Sequence, residues 1–212
     1  MKNKYIILST SIITILLNIL ANALPLAGNS TKFVSDKFFT LITPAPFTFI
    51  IWGVIYLTWL YLTFLTVKEK VVISSKFTKL FMISGLLNCF WLVMWHTLNI
   101  NFSVPVIILL LASVTLAYLE LKKLGNSKLN LNIFAIYLGW LIVASVANVS
   151  SMLVANGFGG DKLLLSISPY IWRMAILAVA FLVNLAFLIR EKVYTPMIVL
   201  LWAYLGIFVQ QN

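Results

Sequence analysis

Residues 43–64 read TPAPFTFIIWGVIYLTWLYLTF, two prolines followed by an apolar run that is long enough to cross a membrane as a helix. Residues three or four positions apart share one face of a helix. At that spacing, the residues on one face of this run are Phe49, Trp52, Tyr56, Trp59 and Thr63. The opposite face is almost entirely aliphatic. A helix surrounded by lipid has no need to separate aromatic from aliphatic side chains. We therefore expect the aromatic face to contact protein or a ligand. Taken alone, the stretch favours simple packing between helices.

The composition of the whole chain is that of an integral membrane protein. The 212 residues are 62% hydrophobic and 9% charged with a mean hydropathy of +1.05, whereas soluble domains carry about 25% charged residues. A single cysteine, Cys89, excludes an intramolecular disulfide. The net charge of +10 comes from lysines in short clusters between apolar runs. This arrangement indicates membrane topology, and we expect no nucleic-acid partner.

Seven apolar runs have the length of a membrane span. They cover residues 5–24, 46–67, 79–98, 103–121, 132–154, 170–189 and 194–210. Prolines are tolerated best near helix ends, and six lie at or near these ends, namely Pro25, Pro44, Pro46, Pro105, Pro169 and Pro196. We therefore predict an all-α, seven-span helix bundle.

Basic residues predict the orientation of the bundle, because cytoplasmic loops retain Lys and Arg. They concentrate at the N-terminus and in the segments 68–79, 122–128 and 190–192. This bias predicts a cytoplasmic N-terminus, an external C-terminus, and external loops at about 25–45 and 155–169. An alternative for the first run is a secretory signal peptide ending at Ala21-Asn22-Ala23. The polar Asn18 and Asn22 favour a retained helix.

Charged side chains are missing from the middle of every predicted span. Glu120, Arg173 and Arg190 lie close to span ends, where they can reach the interface. Ion-coupled transporters usually need an intramembrane carboxylate, so that class is disfavoured. The last span contains no lysine, which excludes a retinal Schiff base. His96, the single histidine, lies at the end of the third span, where we expect an interface residue rather than a metal ligand.

Asparagines and tryptophans recur on single helix faces of the third and fifth spans. Asn88, Trp91 and Trp95 share one face, and the fifth span aligns Tyr137, Trp140, Ala144, Asn148 and Ser151. A buried amide needs hydrogen-bond partners. Interhelical hydrogen bonding alone would satisfy them and remains an equal alternative to a binding site.

Depth favours a cavity. Trp52, Trp91 and Trp140 lie too far inside their spans to be explained by an interfacial aromatic belt alone. Deep tryptophans together with two amides are typical of an apolar small-molecule site with a few polar groups.

Three short sequence motifs occur in or next to the second, third and fifth predicted spans. They are P-x(7)-W-x-x-x-Y at Pro44, Trp52 and Tyr56, N-x-x-W at Asn88 and Trp91, and Y-x-x-W-x(3)-A-x(3)-N at Tyr137, Trp140, Ala144 and Asn148. In this order and spacing, over about residues 5–155, the chain resembles the TspO/MBR family, the tryptophan-rich sensory or translocator proteins. The resemblance implies a five-helix core at 1–155, with two additional membrane helices at 156–212.

The resemblance also implies a ligand pocket. Its ligands would be porphyrins, sterol-like molecules or other hydrophobic compounds, its residues would be the eight motif residues from Trp52 to Asn148, and the first loop would close it. Departures occur near Pro46, at Ile136 and at Trp95-His96. They leave the ligand open, as the added helices leave open whether the chain forms the family's homodimer.

Three functions follow as hypotheses. The first is a sensor or carrier in a bacterial cytoplasmic membrane that encloses its ligand between tryptophans, is gated by residues 26–43, and requires no cofactor or metal. The second is light-dependent porphyrin breakdown, which the resemblance implies for some bacterial relatives. No conventional acid, base or nucleophile cluster lies in the spans, so we do not expect hydrolytic or transfer chemistry. The third is an assembly factor that docks other membrane proteins.

Overall fold

The computed structural model describes residues 2–24, 26–158 and 168–212, in which helices dominate. In chain order these are α1 (Lys2–Ala23), α2 (Thr31–Lys37), α3 (Ile51–Val67), α4 (Ser75–His96), α5 (Ile100–Lys123), α6 (Lys128–Ala155), α7 (Pro169–Glu191) and α8 (Thr195–Gln211). Short 3₁₀ turns lie at Leu26–Gly28 and Pro46–Ile50. Six segments are long and apolar enough to cross a membrane, while α8 is apolar but shorter. The predicted all-helical membrane protein is confirmed.

Serine and proline residues mark where several helices begin. The side chains of Ser30, Ser74, Ser127 and Ser168 accept hydrogen bonds from the first turns of α2, α4, α6 and α7. Proline occupies the first turn of α7, of α8 and of the turn Pro46–Ile50. Pro25 lies outside the described residues.

Pro105 lies farther inside its helix than the other described prolines. We expected it at or near a span end, and because α5 begins at Ile100, Pro105 lies in its second turn. The position is tolerated because the missing N–H would have bonded to the carbonyl of Asn101, an exposed residue in the first turn.

Five helices form a closed ring. Contacts run from α1 to α3, then to α6, α5 and α4, and back to α1. The long helices alternate in direction. We call the end that carries α2 the α2 end, and the other the lysine-rich end. Helices α7 and α8 pack outside the ring against α6, and α8 also contacts the turn Pro46–Ile50. As a result, α6 is the most enclosed of the long helices.

Two glycines allow α8 to approach its neighbours closely. A Cβ added to Gly139 of α6 would lie 2.6 Å from the Cα of Pro196, and one added to Gly206 of α8 would lie 1.9 Å from Oγ1 of Thr48. The backbone N–H of Ala45 donates to the carbonyl of Gly206 at 2.9 Å. Helix α8 therefore packs closely against α6 and against the turn Pro46–Ile50.

The division into a core at 1–155 and added helices at 156–212 stays a prediction.

Ion pairs connect segments at the lysine-rich end. Lys4 donates to Glu69 at 2.8 Å and Lys122 to Glu191 at 2.6 Å. The hydrogen bond from Lys4 lowers the pKa of the Glu69 carboxyl below its ordinary value. Glu69 is exposed, so this pair adds little stability.

Candidate functional site

The aromatic face of α3 points into the bundle. Trp59 and Thr63 are buried, and Trp52 and Tyr56 are half-buried against the core. The opposite face exposes aliphatic side chains such as Leu57. The predicted inward aromatic face of α3 is confirmed, but the opposite face is not purely aliphatic, because it also exposes Tyr61 and Phe64.

Trp52 is the centre of an aromatic cluster that joins three helices. Its ring stacks on Trp91 of α4 at 6.2 Å between centroids and on Tyr56 at 5.9 Å. From α6, Trp140 meets it edge-on at 6.0 Å, and Tyr137 lies tilted at 6.3 Å. Such contacts add about 0.5–1.5 kcal/mol each beyond the area buried. Motif residues far apart in the chain thus meet at one place.

Asn148 connects α6 to two neighbouring helices. Its Oδ1 accepts from the indole N–H of Trp91 at 2.8 Å, and its Nδ2 donates to Oγ of Ser103 at 2.8 Å. These bonds fix the ring orientation of Trp91 inside the cluster. Asn148 therefore has a structural role, and it also faces the cavity described below.

Asn88 has a similar network one layer towards the lysine-rich end. Its Nδ2 donates to the hydroxyl of Tyr137 at 2.9 Å, and its Oδ1 accepts from Nδ2 of Asn18 at 2.7 Å. The sequence did not indicate Asn18 as the partner from α1. Neither Asn88 nor Tyr137 borders the cavity. Their hydrogen bonds support the floor beneath it.

Helix α2 covers the α2 end and is held by hydrogen bonds. The hydroxyl of Thr31 lies 2.9 Å from Nε2 of His96, and the indole of Trp95 donates to the carbonyl of Thr31 at 3.1 Å. Asn29 donates to the carbonyl of His96 at 2.8 Å. His96 is fully buried, so the expectation of an interface residue was wrong. The reason is that α2 folds over it, which its position at a helix end does not reveal.

A cavity lies between α2, the aromatic cluster, and helices α6, α7 and α8. Its volume is about 60 Å³. The cavity is therefore narrow in this conformation. Five of the eight predicted ligand-binding residues border it, namely Trp52, Trp91, Trp140, Ala144 and Asn148.

Tyr56 borders a second space, a groove of about 460 Å³ between α1, α2 and α3. Asn18, Asn22 and Lys32 contribute to its walls. Trp52 borders both the groove and the cavity. Thr31 and Phe49 also border both spaces, so these three residues lie between the groove and the cavity.

Other residues of the cavity were not predicted as site residues. Thr31, Ser35, Thr40 and Phe49 border it at the α2 end, and α7 and α8 add Leu177, Ala180, Ala203, Tyr204 and Ile207. Thr31, Ser35 and Thr40 lie in the segment 26–43 that the sequence predicted as a gate, and Phe49 belongs to the aromatic face predicted for residues 43–64. Nothing in the local pattern of α7 or α8 distinguishes the second group from lipid-facing residues.

Trp140 offers an unused hydrogen-bond donor beside the cavity. Among the described residues, its buried indole N–H has no acceptor, whereas the indoles of Trp91, Trp95 and Trp202 each donate to a neighbour. An unpaired buried N–H costs about 1–3 kcal/mol. A ligand with an acceptor at this position would recover that cost.

A metal centre finds no support in the described part of the chain, where no group of three His, Cys, Asp or Glu side chains lies together.

The chain was compared with families of known proteins. The family described as TSPO-like protein matches residues 4–212. Comparisons with curated proteins and with solved structures gave no match. The family match includes α7 and α8 as well as the ring of five helices.

Proposed function

Because the chain belongs to the TSPO-like family, as its resemblance to the TspO/MBR proteins predicts, we propose that it binds a planar hydrophobic small molecule within the membrane. The proposed ligand is a porphyrin or a compound of similar shape, and the proposed role is that of a sensor or carrier. The mostly apolar cavity with a few polar groups, among them the unpaired indole N–H of Trp140, matches the usual composition of small-molecule sites.

The observation that carries this proposal is the position of Trp140. Its ring forms part of the aromatic cluster, the residue borders the cavity, and its buried indole N–H has no acceptor among the described residues. A flat ligand would stack against Trp52 or Trp91 and accept a hydrogen bond from Trp140. Asn148 would act indirectly, by fixing Trp91.

Binding requires the cavity to widen. Small-molecule pockets usually measure about 300–1,000 Å³, far above the room now free. Displacement of α2 is the opening motion that we propose, because α2 is held at this end by few hydrogen bonds and its first turn borders the cavity.

The test is porphyrin binding by variants of single tryptophans. Purified protein in detergent is titrated with protoporphyrin IX, and binding is followed by the porphyrin's own absorbance so that the loss of a tryptophan does not alter the signal. We expect Trp140→Phe to weaken binding at least three-fold, the equivalent of one lost hydrogen bond of about 0.5–1.5 kcal/mol.

Trp59→Phe is the matched control. Like Trp140 of α6, Trp59 of α3 is a buried tryptophan with an unpaired N–H, but it does not border the cavity. Trp59→Phe should therefore leave porphyrin binding unchanged. Saturable binding that is the same in wild type, Trp52→Phe and Trp140→Phe would rule out the pocket. A stoichiometric protein partner together with no ligand binding would favour an assembly role instead.

A further inference from the structure

One part of the cavity wall, which we call the branch, consists of side chains outside the aromatic cluster. On α6, Val143 and Ala147 lie three and seven positions after Trp140 and border the cavity beside it. Across from them stand Ala180 of α7 and Ala203 of α8. The branch therefore runs between α6, α7 and α8, outside the ring of five helices.

Small side chains line this branch, and contacts between the helices join its walls. Ala180 and Ala203 are 2% and 1% exposed, so they point into the protein rather than into lipid. The hydroxyl of Tyr204 donates to the carbonyl of Leu177, which joins α8 to α7. The close approach of Gly139 to Pro196 fixes α8 against α6.

The branch is chemically different from the rest of the cavity. Most of its walls carry methyl and aliphatic groups, and the hydroxyl of Tyr204 is already bonded to Leu177, while Ser151 lies at the end towards α2. None of the described residues around the cavity is charged. A hydrocarbon substituent satisfies such walls, whereas a polar group would lose its hydrogen bonds there.

We propose that this branch is a second compartment of the binding site, which takes an aliphatic chain carried by the ring that binds at the aromatic cluster. The ligand class is thereby narrowed to planar rings with an alkyl or other saturated hydrocarbon substituent. This inference rests on the proposed function, because the ring must bind at Trp52, Trp91 and Trp140. Helices α7 and α8 would then select among ligands as well as support the bundle.

The test uses two probes that differ only in the chain, pyrene and 1-hexylpyrene. Their binding to purified protein is measured by energy transfer from tryptophan at constant detergent concentration. Each probe is compared between variants and wild type, so its partition into detergent cancels. Ala180→Leu or Ala203→Leu would fill the branch. Each is expected to weaken the binding of 1-hexylpyrene at least five-fold and the binding of pyrene less than two-fold.

Ala178→Leu is the matched control, since Ala178 is an exposed residue of α7 two positions from Ala180, and it should affect neither probe. Melting temperatures identify variants that pack poorly. A second measurement avoids larger side chains: a pyrene with a photoreactive diazirine at the end of its hexyl chain is cross-linked to wild-type protein, and the labelled residues are mapped. Labelling of α7 and α8 that excess 1-hexylpyrene suppresses is the expected result.

The outcomes separate the two proposals. If pyrene binds and depends on Trp140, but the filled variants bind 1-hexylpyrene like wild type or the competed label falls on α1 or α3, the branch inference is overturned and the pocket stands. If neither probe binds saturably, both proposals are wrong.

Discussion

Asn148 and Asn184 are two buried asparagines whose surroundings differ. Asn148 bonds to side chains of two other helices. The Nδ2 of Asn184 donates to the carbonyl of Ala180 in its own helix, and its Oδ1 has no partner among the described residues. The value of a buried amide depends on such partners, since an unmade bond costs more than a made one contributes.

This difference predicts opposite effects of the same substitution. Asn148→Leu should lower the free energy of unfolding by about 1–3 kcal/mol, because it leaves the N–H of Trp91 buried without an acceptor. Asn184→Leu removes an unsatisfied carbonyl, so it should be neutral or stabilising. Unfolding in mixed detergent micelles measures both. Equal losses in the two variants would contradict the assignment of Asn148 as a bridge between helices.

Helix α8 depends on close approach at single glycines. Gly139→Ala places a methyl group against the backbone of Pro196, which cannot rotate away. We expect the free energy of unfolding to fall by about 1–3 kcal/mol, the usual range when an extra methyl group is forced into a packed contact. Thermal unfolding followed by circular dichroism measures it.

Gly53→Ala is the control within the same bundle, because no atom lies within 4 Å of its added Cβ. It should be neutral or slightly stabilising, as expected for alanine in a helix. If Gly139→Ala unfolds at the same temperature as Gly53→Ala, α8 does not pack against α6 as described.

Helix α2 is expected to control the rate of ligand entry. Thr31→Val keeps the shape of the side chain but removes its hydrogen bond to His96. Because opening would then break one bond fewer, protoporphyrin IX should associate about three-fold faster or more. Thr58→Val serves as control, since the Thr58 hydroxyl bonds within its own helix. Stopped-flow absorbance measures the rates, and identical association in both variants would show that α2 does not limit entry.

Sequence periodicity predicted the individual helices but not all of their neighbours. The aromatic face of α3 and the amides of α4 and α6 could be recognised because a helix repeats its faces locally. The burial of His96 depends on α2, and the bond of Asn88 depends on Asn18, 70 residues away. The branch beside α7 and α8 arises where three helices meet. No local pattern specifies such a meeting point, so the sequence left these residues unassigned.

Most basic residues of the described chain lie at one end of the molecule, whereas Lys32, Lys37 and Arg173 lie at the other. Lys4, Lys68, Lys122 and Lys192 lie at the lysine-rich end, opposite α2. By the positive-inside rule this end should face the cytoplasm. Alkaline phosphatase fused after residue 212 should then be active in a bacterial host, and a fluorescent protein inserted at Gly125 should fluoresce. Activity of the phosphatase at Gly125 instead would reverse the predicted orientation.

The contact between α8 and the segment before α3 has a consequence for biogenesis. The side-chain amide of Gln211 donates to the carbonyls of Thr40 and Thr43 at 3.3 and 3.4 Å, across a separation of about 170 residues. Helix α8 is synthesised after the other described helices. The segment around Thr40 therefore lacks this hydrogen-bond partner until the intervening spans and α8 have been inserted. Contacts this distant in sequence form late in folding. Maturation of the cavity is therefore coupled to insertion of α8, and a quality-control protease would encounter an unfinished site until that helix arrives.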